Sequence, residues 1–133
     1  MDTPASKKDQ KKVKKIIKHI AHGRAYVQAS FNNTIITVAD PNGDVLAWGS
    51  AGGAGSKGPK KATPYAAGIV VKKVVETLAP YGLKEVNLLV RGIGGGREAA
   101  IRAFNTNGIQ VLSVKDITPI PHNGCRPPRR RRI

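Results

Sequence analysis

Apolar and polar residues alternate along residues 24–31, and this period of two predicts a half-buried β-strand. The apolar positions that share one face of the strand are Ala25, Val27, Ala29 and Phe31. Asparagine tolerates the positive φ of a two-residue hairpin turn, so the adjacent pair at positions 32 and 33 predicts such a turn. The chain therefore reverses immediately after the first strand.

Two more strands follow in the first half of the chain. Residues 34–39 form the returning strand, and the sequence Asp-Pro-Asn-Gly-Asp at 40–44 is a second turn signal. Residues 45–48 begin a third strand. The first half is thus predicted to be a three-stranded antiparallel meander.

The hydrophobic period changes to that of a helix after Thr63, which can cap a helix that has Pro64 at its first position. One face of this helix is apolar and comprises Ala67, Val70, Val71, Val74 and Leu78, whereas Lys72, Lys73 and Glu76 face water. Gly82 lies beyond its end. Residues 85–90 are mostly apolar and predict a strand that is covered on both faces.

A second helix is predicted over residues 97–105, with Ala100, Ile101 and Phe104 directed inward and an i,i+4 pair between Glu98 and Arg102. Asn-Gly at 107–108 ends it, and residues 109–114 form a fifth strand. Three strands followed by helix, strand, helix and strand predict a single α/β domain, in which helices pack on a mixed five-stranded sheet.

The charge is concentrated at the two ends of the chain. The net charge is +15, of which residues 1–24 and 126–133 together carry +11 and the middle only +4. We therefore divide the chain into a basic N-terminal arm (1–23), a globular domain (24–117) and a Pro/Arg-rich tail (118–133). Blocks of like charge are expected to stay disordered until a polyanion neutralises them.

Nucleic acid is the polyanion that suits these arms best. An anionic membrane is the alternative, because the apolar residues Val13, Ile16, Ile17 and Ile20 recur at helical spacing among the lysines of the N-terminal arm. That stretch has no Trp or Phe to anchor it in lipid, so no membrane partner is expected. The single cysteine and the absence of a secretion signal fit a cytosolic protein.

A glycine-rich stretch at 49–61 has backbone amides and lysines that could cradle phosphate, or it could be a flexible linker. It does not match the phosphate loop of nucleotide-hydrolysing proteins, because Lys57 is preceded by Ser56 and followed by Gly58. Contact of its lysines with an RNA backbone is at least as well supported as a linker.

The sequence Arg-Gly-Ile-Gly-Gly-Gly-Arg at 91–97 resembles a dinucleotide-binding turn, with Asp116 about 20 residues further on. Arg97 replaces the third glycine of that fingerprint, and only one strand-helix-strand unit follows. We expect instead an anion site at which the glycine amides, a helix N-terminus, Arg91 and Arg97 converge on one phosphate.

No catalytic or metal-binding set is supported. His19-x-x-His22 and His122-x-x-Cys125 have zinc-ligand spacing, but cations surround them, and we expect neither a metal nor a cofactor. Paired carboxylates and nucleophile–base pairs are also missing from the sequence, so no enzymatic activity is expected.

Several motifs together resemble the bacterial branch of the family of ribosomal small-subunit protein eleven. They are Ala-Ser-Phe-Asn-Asn-Thr at 29–34, Ala-Gly-Gly at 51–53 with the loop to Lys61 and Thr63-Pro64, Arg97-Glu98, and Asp-Ile-Thr-Pro-Ile-Pro-His-Asn-Gly-Cys-Arg-Pro-Pro at 116–128. The last motif is the most specific of them. The family's glycine-proline-glycine-proline-glycine turn is Gly92-Ile-Gly-Gly-Gly96 here, and we expect its loss of both prolines to make it more flexible.

The resemblance implies a ribonuclease H-like domain without nuclease activity, in the cytoplasmic small ribosomal subunit. It further implies binding to small-subunit rRNA on the platform, where the protein would bridge RNA helices and help to form the Shine-Dalgarno cleft that holds mRNA. Small-subunit proteins seven and eighteen would be its neighbours, and initiation factor three would lie nearby. No homo-oligomer is expected.

The function predicted from the sequence is therefore that of an rRNA-binding structural protein. The side chains expected to contact rRNA are Asn32, Asn33, Lys57, Lys60, Lys61, Arg91, Arg97, Arg126, Arg129, Arg130, Arg131 and Arg132. A nucleotide-dependent enzyme that uses Gly92–Gly96 and a DNA-compacting protein are the alternatives from other classes.

Asn123 is followed by Gly124, whose missing side chain leaves its amide nitrogen free to attack the asparagine side chain. We expect isoaspartate to accumulate at Asn123 when the protein is aged at neutral pH. Tryptic peptide mapping checks this, with Gly124→Ala as the control that should slow the reaction. A map of aged protein that shows only unmodified Asn123 would contradict it.

Overall fold

A computed structural model of the protein describes residues 19–132. Most of the predicted N-terminal arm, with Val13, Ile16 and Ile17, lies outside the described residues. Within the described range, no helix is long and apolar enough to cross a membrane.

Five strands and two α-helices form a single α/β unit, as the two hydrophobic periods predict. The strands are β1 (His22–Ala29), β2 (Thr34–Ala39), β3 (Val45–Ser50), β4 (Glu85–Gly92) and β5 (Gln110–Asp116). The α-helices are α1 (Pro64–Leu78) and α2 (Gly96–Thr106), and short 3-10 helices cover Gly58–Ala62 and Ala79–Tyr81.

The sheet is mixed, with the spatial order β3-β2-β1-β4-β5. The first three strands form the expected antiparallel meander, whereas β4 pairs in parallel with both β1 and β5. Both helices pack on one face of the sheet and against each other. The core lies between the sheet and the helices, where Ile36, Leu88 and Phe104 are fully buried.

Helix α1 begins at Thr63, as predicted. The Ala66 N–H donates to Thr63 Oγ1 at 3.3 Å, and Pro64 occupies the first helical turn, where its missing N–H costs nothing. The five predicted inward residues are all buried, and the predicted outward residues Lys72, Lys73 and Glu76 are exposed. Gly82 then reverses the chain with a φ of 70°.

Two predictions about strand burial are wrong. The first strand ends at Ala29, so Phe31 lies beyond it and is 72% exposed instead of sharing the buried face. Strand β4 is covered on one face only, because both helices lie on the same side of the sheet: Val86, Leu88 and Val90 are buried, whereas Leu89 on the other side is half-buried.

The turn between β1 and β2 also differs from its prediction. The Ser30 N–H donates to the Asn33 carbonyl oxygen at 2.9 Å, which closes a four-residue turn. Neither asparagine has a positive φ, since Asn123 is the one non-glycine residue of the described range that does. The Ser30 hydroxyl holds the turn instead, because the Asn33 N–H donates to its oxygen at 3.1 Å.

The turn Gly92–Gly96 packs closely on the end of the first strand and on the residue that follows it. The Gly94 N–H donates to the Ala29 carbonyl at 3.1 Å. A Cβ at Gly92 or Gly94 would overlap the carbonyl oxygen of Ala29 or Ser30 respectively. Glycine is required here because two backbones approach each other, and Gly92 also has a φ of +98°.

We expect Gly94→Ala to lower the free energy of unfolding by about 1–3 kcal/mol, because the new methyl group must displace backbone. Gly68→Ala is the matched control. Gly68 lies within α1 with open space around its Cβ direction, so that change should raise stability by about 0.5–1 kcal/mol. Urea denaturation midpoints measure both. Equal midpoints for Gly94→Ala and the wild type would contradict the close packing.

Candidate nucleic-acid interface

Four segments of the chain meet at one end of the sheet. Strands β1, β3, β4 and β5 all run in the same direction, because β2 is antiparallel to both β1 and β3. Their carboxyl ends therefore lie together, and we call this the interface end. The segments that start there are the turn 30–33, the loop 51–61, the turn 92–96 and the tail from residue 117.

The asparagines of the first turn differ in what they offer to a ligand. Asn32 is exposed. Asn33 is half-buried, and its side-chain oxygen accepts the Thr34 N–H at 2.9 Å. The turn therefore presents Asn32 outward, while Asn33 shapes the backbone.

The glycine-rich loop is a folded segment and not the flexible linker that its composition allowed. Its amides at Gly53, Ala54 and Ser56 donate to Ser50 Oγ, Ser50 O and Ala51 O at 3.0–3.1 Å. These three amides are therefore not available to cradle a phosphate. The lysine side chains are what the loop presents.

The three lysines of this loop line two hollows that also contain aromatic rings. Lys61 shares a hollow of about 350 Å³ with Phe31, Asn32 and Gly58. Lys57 and Lys60 line a neighbouring hollow of about 570 Å³ with Tyr65, which is 81% exposed. Each hollow thus combines a cation with an exposed aromatic ring.

Phe31 and Tyr65 were missed as candidate site residues. Phe31 continues the apolar alternation of the first strand, which predicts a buried position. Its place next to two asparagines is the turn signal that indicates an exposed one. Tyr65 follows the helix-capping Thr63-Pro64 pair in the first turn of α1, and this position gives no sequence signal that it lies beside the lysine loop.

The two arginines that flank the glycine turn do not converge on one phosphate. Arg91 alternates with buried Val90, so it lies on the face of the sheet away from the helices, where it is exposed. Arg97 starts α2 on the other face and donates from Nη1 to the Gly92 carbonyl at 2.9 Å. The expected common anion site is therefore wrong.

Arg97 instead fixes the root of the C-terminal tail. Its Nη2 contacts Asp116 Oδ2 at 2.7 Å, and the other Asp116 oxygen accepts from the hydroxyl and N–H of Thr118. The Gly92 N–H donates in turn to Thr118 Oγ1 at 3.2 Å. We call these four residues the tail anchor.

The tail anchor alters the ionisation of its carboxylate. The Thr118 hydroxyl bond is the largest influence and the Arg97 bond the next, and together they hold the pKa of Asp116 well below its usual range. The Asp116 carboxylate, whose spacing from the glycine turn suggested a ribose ligand, therefore stays ionised and is hydrogen-bonded to Arg97 and Thr118.

Beyond Thr118 the described tail is exposed and contains neither helix nor strand. Arg126 is exposed, as are Arg129, Arg130, Arg131 and Arg132, which line a hollow of about 390 Å³ to which the globular body contributes no residue. The tail arginines therefore do not share a cavity with the lysine loop. Asn123 is exposed and has a φ of 62°.

Acidic residues are placed mainly away from the interface end. Asp40 and Asp44 form the turn between β2 and β3, and Glu85 begins β4 at the far end of the sheet beside His22, 4.0 Å away. Glu98 lies in the first turn of α2 and contacts Arg102 at 3.9 Å, as predicted, with both side chains 82% exposed. Arg24 and Lys84 lie at the far end as well, and Asp116, held by the tail anchor, lies at the interface end.

The histidines and the cysteine do not form a ligand cluster. His19 lies against Gly82 and His22 beside Asn87, at the end of the sheet opposite to the tail, which carries His122 and Cys125. Within residues 19–132, no group of three or more His, Cys, Asp or Glu side chains could hold a metal ion.

Comparison with known sequences identifies the family. Residues 23–132 match the family model described as "Ribosomal protein S11". Two bacterial relatives named "Small ribosomal subunit protein uS11", from Psychromonas ingrahamii and Hamiltonella defensa, are each 50% identical over 120 residues, which cover 90% of this chain and 93% of the relative. The chain belongs to the ribosomal protein S11 family.

Membership of the S11 family confirms the resemblance carried by the motifs at 29–34 and 116–128. It also sets aside the nucleotide-dependent enzyme, because the family consists of ribosomal proteins and not of enzymes.

The tail anchor predicts a pH-dependent contribution to stability. A pKa lowered by folding means that the stabilisation is complete above the ordinary carboxyl value of about 3.9 and is lost as the pH falls towards the folded value. We expect Asp116→Asn to have a lower Tm than the wild type at pH 7, and this gap should close as the pH falls below about 4.

Thermal unfolding of both proteins between pH 7 and pH 2 measures the gap. Asp44→Asn, which removes an exposed carboxylate from a turn, is the control and should show no comparable gap. A difference between Asp116→Asn and the wild type that stays constant with pH would show that the carboxylate is not held by the anchor.

Proposed function

We propose that this S11-family protein is a structural constituent of the bacterial small ribosomal subunit, where it binds small-subunit rRNA through the interface end. The observation that carries the proposal is the convergence of the turn 30–33, the lysine loop and the tail at one end of the sheet, with Asp40, Asp44 and Glu85 at the other. Such a charge distribution orients a protein on a polyanion.

Phosphate contacts supply most of the proposed affinity. Lysine and arginine side chains are the main groups that neutralise nucleic-acid phosphates, and arginine forks match phosphate geometry bidentately. The proposed contacts are Asn32, Lys57, Lys60, Lys61, Arg91, Arg126, Arg129, Arg130, Arg131 and Arg132. Asn33 and Arg97 support them indirectly, because the structure commits their side chains to the turn and to the tail anchor.

The aromatic rings of the two hollows give this interface a second mode of contact. Phe31 and Tyr65 are exposed beside lysines, so an unpaired base could stack on a ring while its phosphate meets the ammonium group. RNA recognition favours such unstacked bases in loops and bulges. We therefore place irregular rRNA, rather than a uniform duplex, at the interface end.

The finer placement follows from the family resemblance. We propose that the domain is ribonuclease H-like, that it lies on the platform of the cytoplasmic subunit, and that it helps to form the cleft for the Shine-Dalgarno duplex. Its neighbours would be small-subunit proteins seven and eighteen, with initiation factor three nearby. The basic N-terminal arm reaches the sheet at His19, at the end opposite to the one from which the tail leaves. Basic segments at opposite ends of the sheet support a role in bridging RNA helices.

We expect deletion of Arg129–Arg132 to weaken binding to folded small-subunit rRNA fragments and to make it less salt-dependent. Each lost phosphate contact removes about 0.7–0.9 from the slope of log affinity against log salt, so the loss of four contacts should shrink the slope by up to about 3.6. Fluorescence anisotropy from 50 to 300 mM KCl measures it. Urea denaturation should be unchanged, because these side chains are exposed.

Replacing the same four arginines by lysine is the matched control, since it keeps the charge and should keep the salt slope. An unchanged salt slope after the deletion would show that these arginines do not contact rRNA phosphates. Equal affinity of the wild type for duplex DNA and for rRNA would favour the DNA-compacting alternative and contradict the proposed function.

A further inference from the structure

The face of the sheet that no helix covers, here called the open face, carries a row of side chains that the interface end does not use. The cross-strand register places Trp48, Thr37, Tyr26, Leu89 and Lys115 side by side across all five strands. The row lies on the open face because its members alternate with residues that the helices bury, such as Ala25 and Val27 next to Tyr26.

Two of the five residues in this row are aromatic. Trp48 is 69% exposed, although it is the largest side chain of the sheet, and Tyr26 is half-buried. Gly49, the neighbour of Trp48, faces Val70 and Val74 of α1, so the alternation of the strand places the Cβ of Trp48 on the other side of the sheet. Because β3 is an edge strand, Trp48 also borders a groove of about 250 Å³ between this edge and α1. Trp48 and Tyr26 are two strands apart, and this corresponds to a spacing of about 10 Å.

Cationic and polar groups border the aromatic row on both sides. Arg91 and Gln28 lie in the adjacent row towards the interface end, and Arg24 lies in the row on the other side. All three are exposed, and so is Lys115 at the end of the aromatic row. Glu85 is the acidic residue among the strand positions of this face, and it lies beside His22 at the end of the sheet away from the interface end.

We propose that the open face is a stacking platform for an unpaired stretch of RNA, whose bases lie on Trp48 and Tyr26 while Arg24, Arg91 and Lys115 meet its phosphates. Base–aromatic stacking combined with a cationic groove is a general way to bind single strands. The inference rests on the proposed function, because it assumes that the polyanion is RNA. It adds a second surface, which continues from the interface end through Arg91.

The charges favour RNA over a protein as the occupant. A surface whose charges have one sign favours a polyanion. On the open face the cations Arg24, Arg91 and Lys115 border or end the aromatic row, whereas the carboxylate of Glu85 lies at the far end of the sheet. Trp48 is the exposed apolar side chain of the row, and Leu89 within it is half-buried.

Trp48 is the one tryptophan of the sequence, so fluorescence excited selectively in tryptophan, without the three tyrosines, reports on this residue of the platform. We expect a single-stranded 8-nucleotide RNA to quench Trp48 saturably in the full-length protein at 50 mM KCl, whereas an RNA duplex of the same length should not. Measured by anisotropy with labelled RNA, Trp48→Ala and Tyr26→Ala should each bind this oligonucleotide roughly 10-fold more weakly. Trp48→Phe, which keeps a ring, should retain most of the affinity.

Lys72→Ala is the control, because it removes an exposed cation of α1 that neither proposed surface uses, and it should leave the quenching of Trp48 unchanged. The platform is overturned if Trp48 does not respond while the protein still binds a folded rRNA fragment, an outcome that leaves the proposed function standing. Equal quenching by duplex RNA overturns it as well. Failure to bind the fragment and the oligonucleotide alike overturns both the platform and the proposed function.

Discussion

The parallel pairing of β1 with β4 is the constraint on which the rest of the structure depends. It brings Gly92 directly opposite Ala29, so that the turn after β4 lies on the turn after β1. The close approach of these two backbones leaves no room for a side chain at Gly92 or Gly94. Strand β5 then follows β4 in the same direction, and the tail therefore leaves the sheet at the end that also carries the turn 30–33 and the lysine loop, which follows the opposite edge strand.

Much of the fold could be predicted because each element follows one hydrophobic period with its own stop signal. The prediction went wrong where a period ran past its element: Phe31 continues the alternation of β1, but the Ser30–Asn33 hydrogen bonds have already turned the chain. The pairing of β1 with β4, which joins residues about 60 positions apart, has no local signature. The convergence of the four segments at the interface end was therefore beyond what the sequence alone could show.

The candidate site was predicted in its residue types but not in its chemistry. Glycine amides near a helix N-terminus suggested phosphate binding by the backbone. Several of these N–H groups instead donate to acceptors within the protein, namely those of Gly53, Ser56, Gly92 and Gly94. What remains for RNA are long cationic side chains and exposed rings. Such side chains adapt to irregular RNA, whereas a rigid backbone cradle would accept one anion geometry.

The tail anchor has a consequence for the entropy of assembly. A polybasic tail attached by a freely rotating joint would explore a large volume and would lose that freedom on binding. Here Arg97, Asp116 and Thr118 define the direction in which the chain leaves the sheet before any RNA is present. Part of the entropy cost of ordering the tail on RNA is thus met during folding, because the direction in which the chain leaves the domain is already fixed.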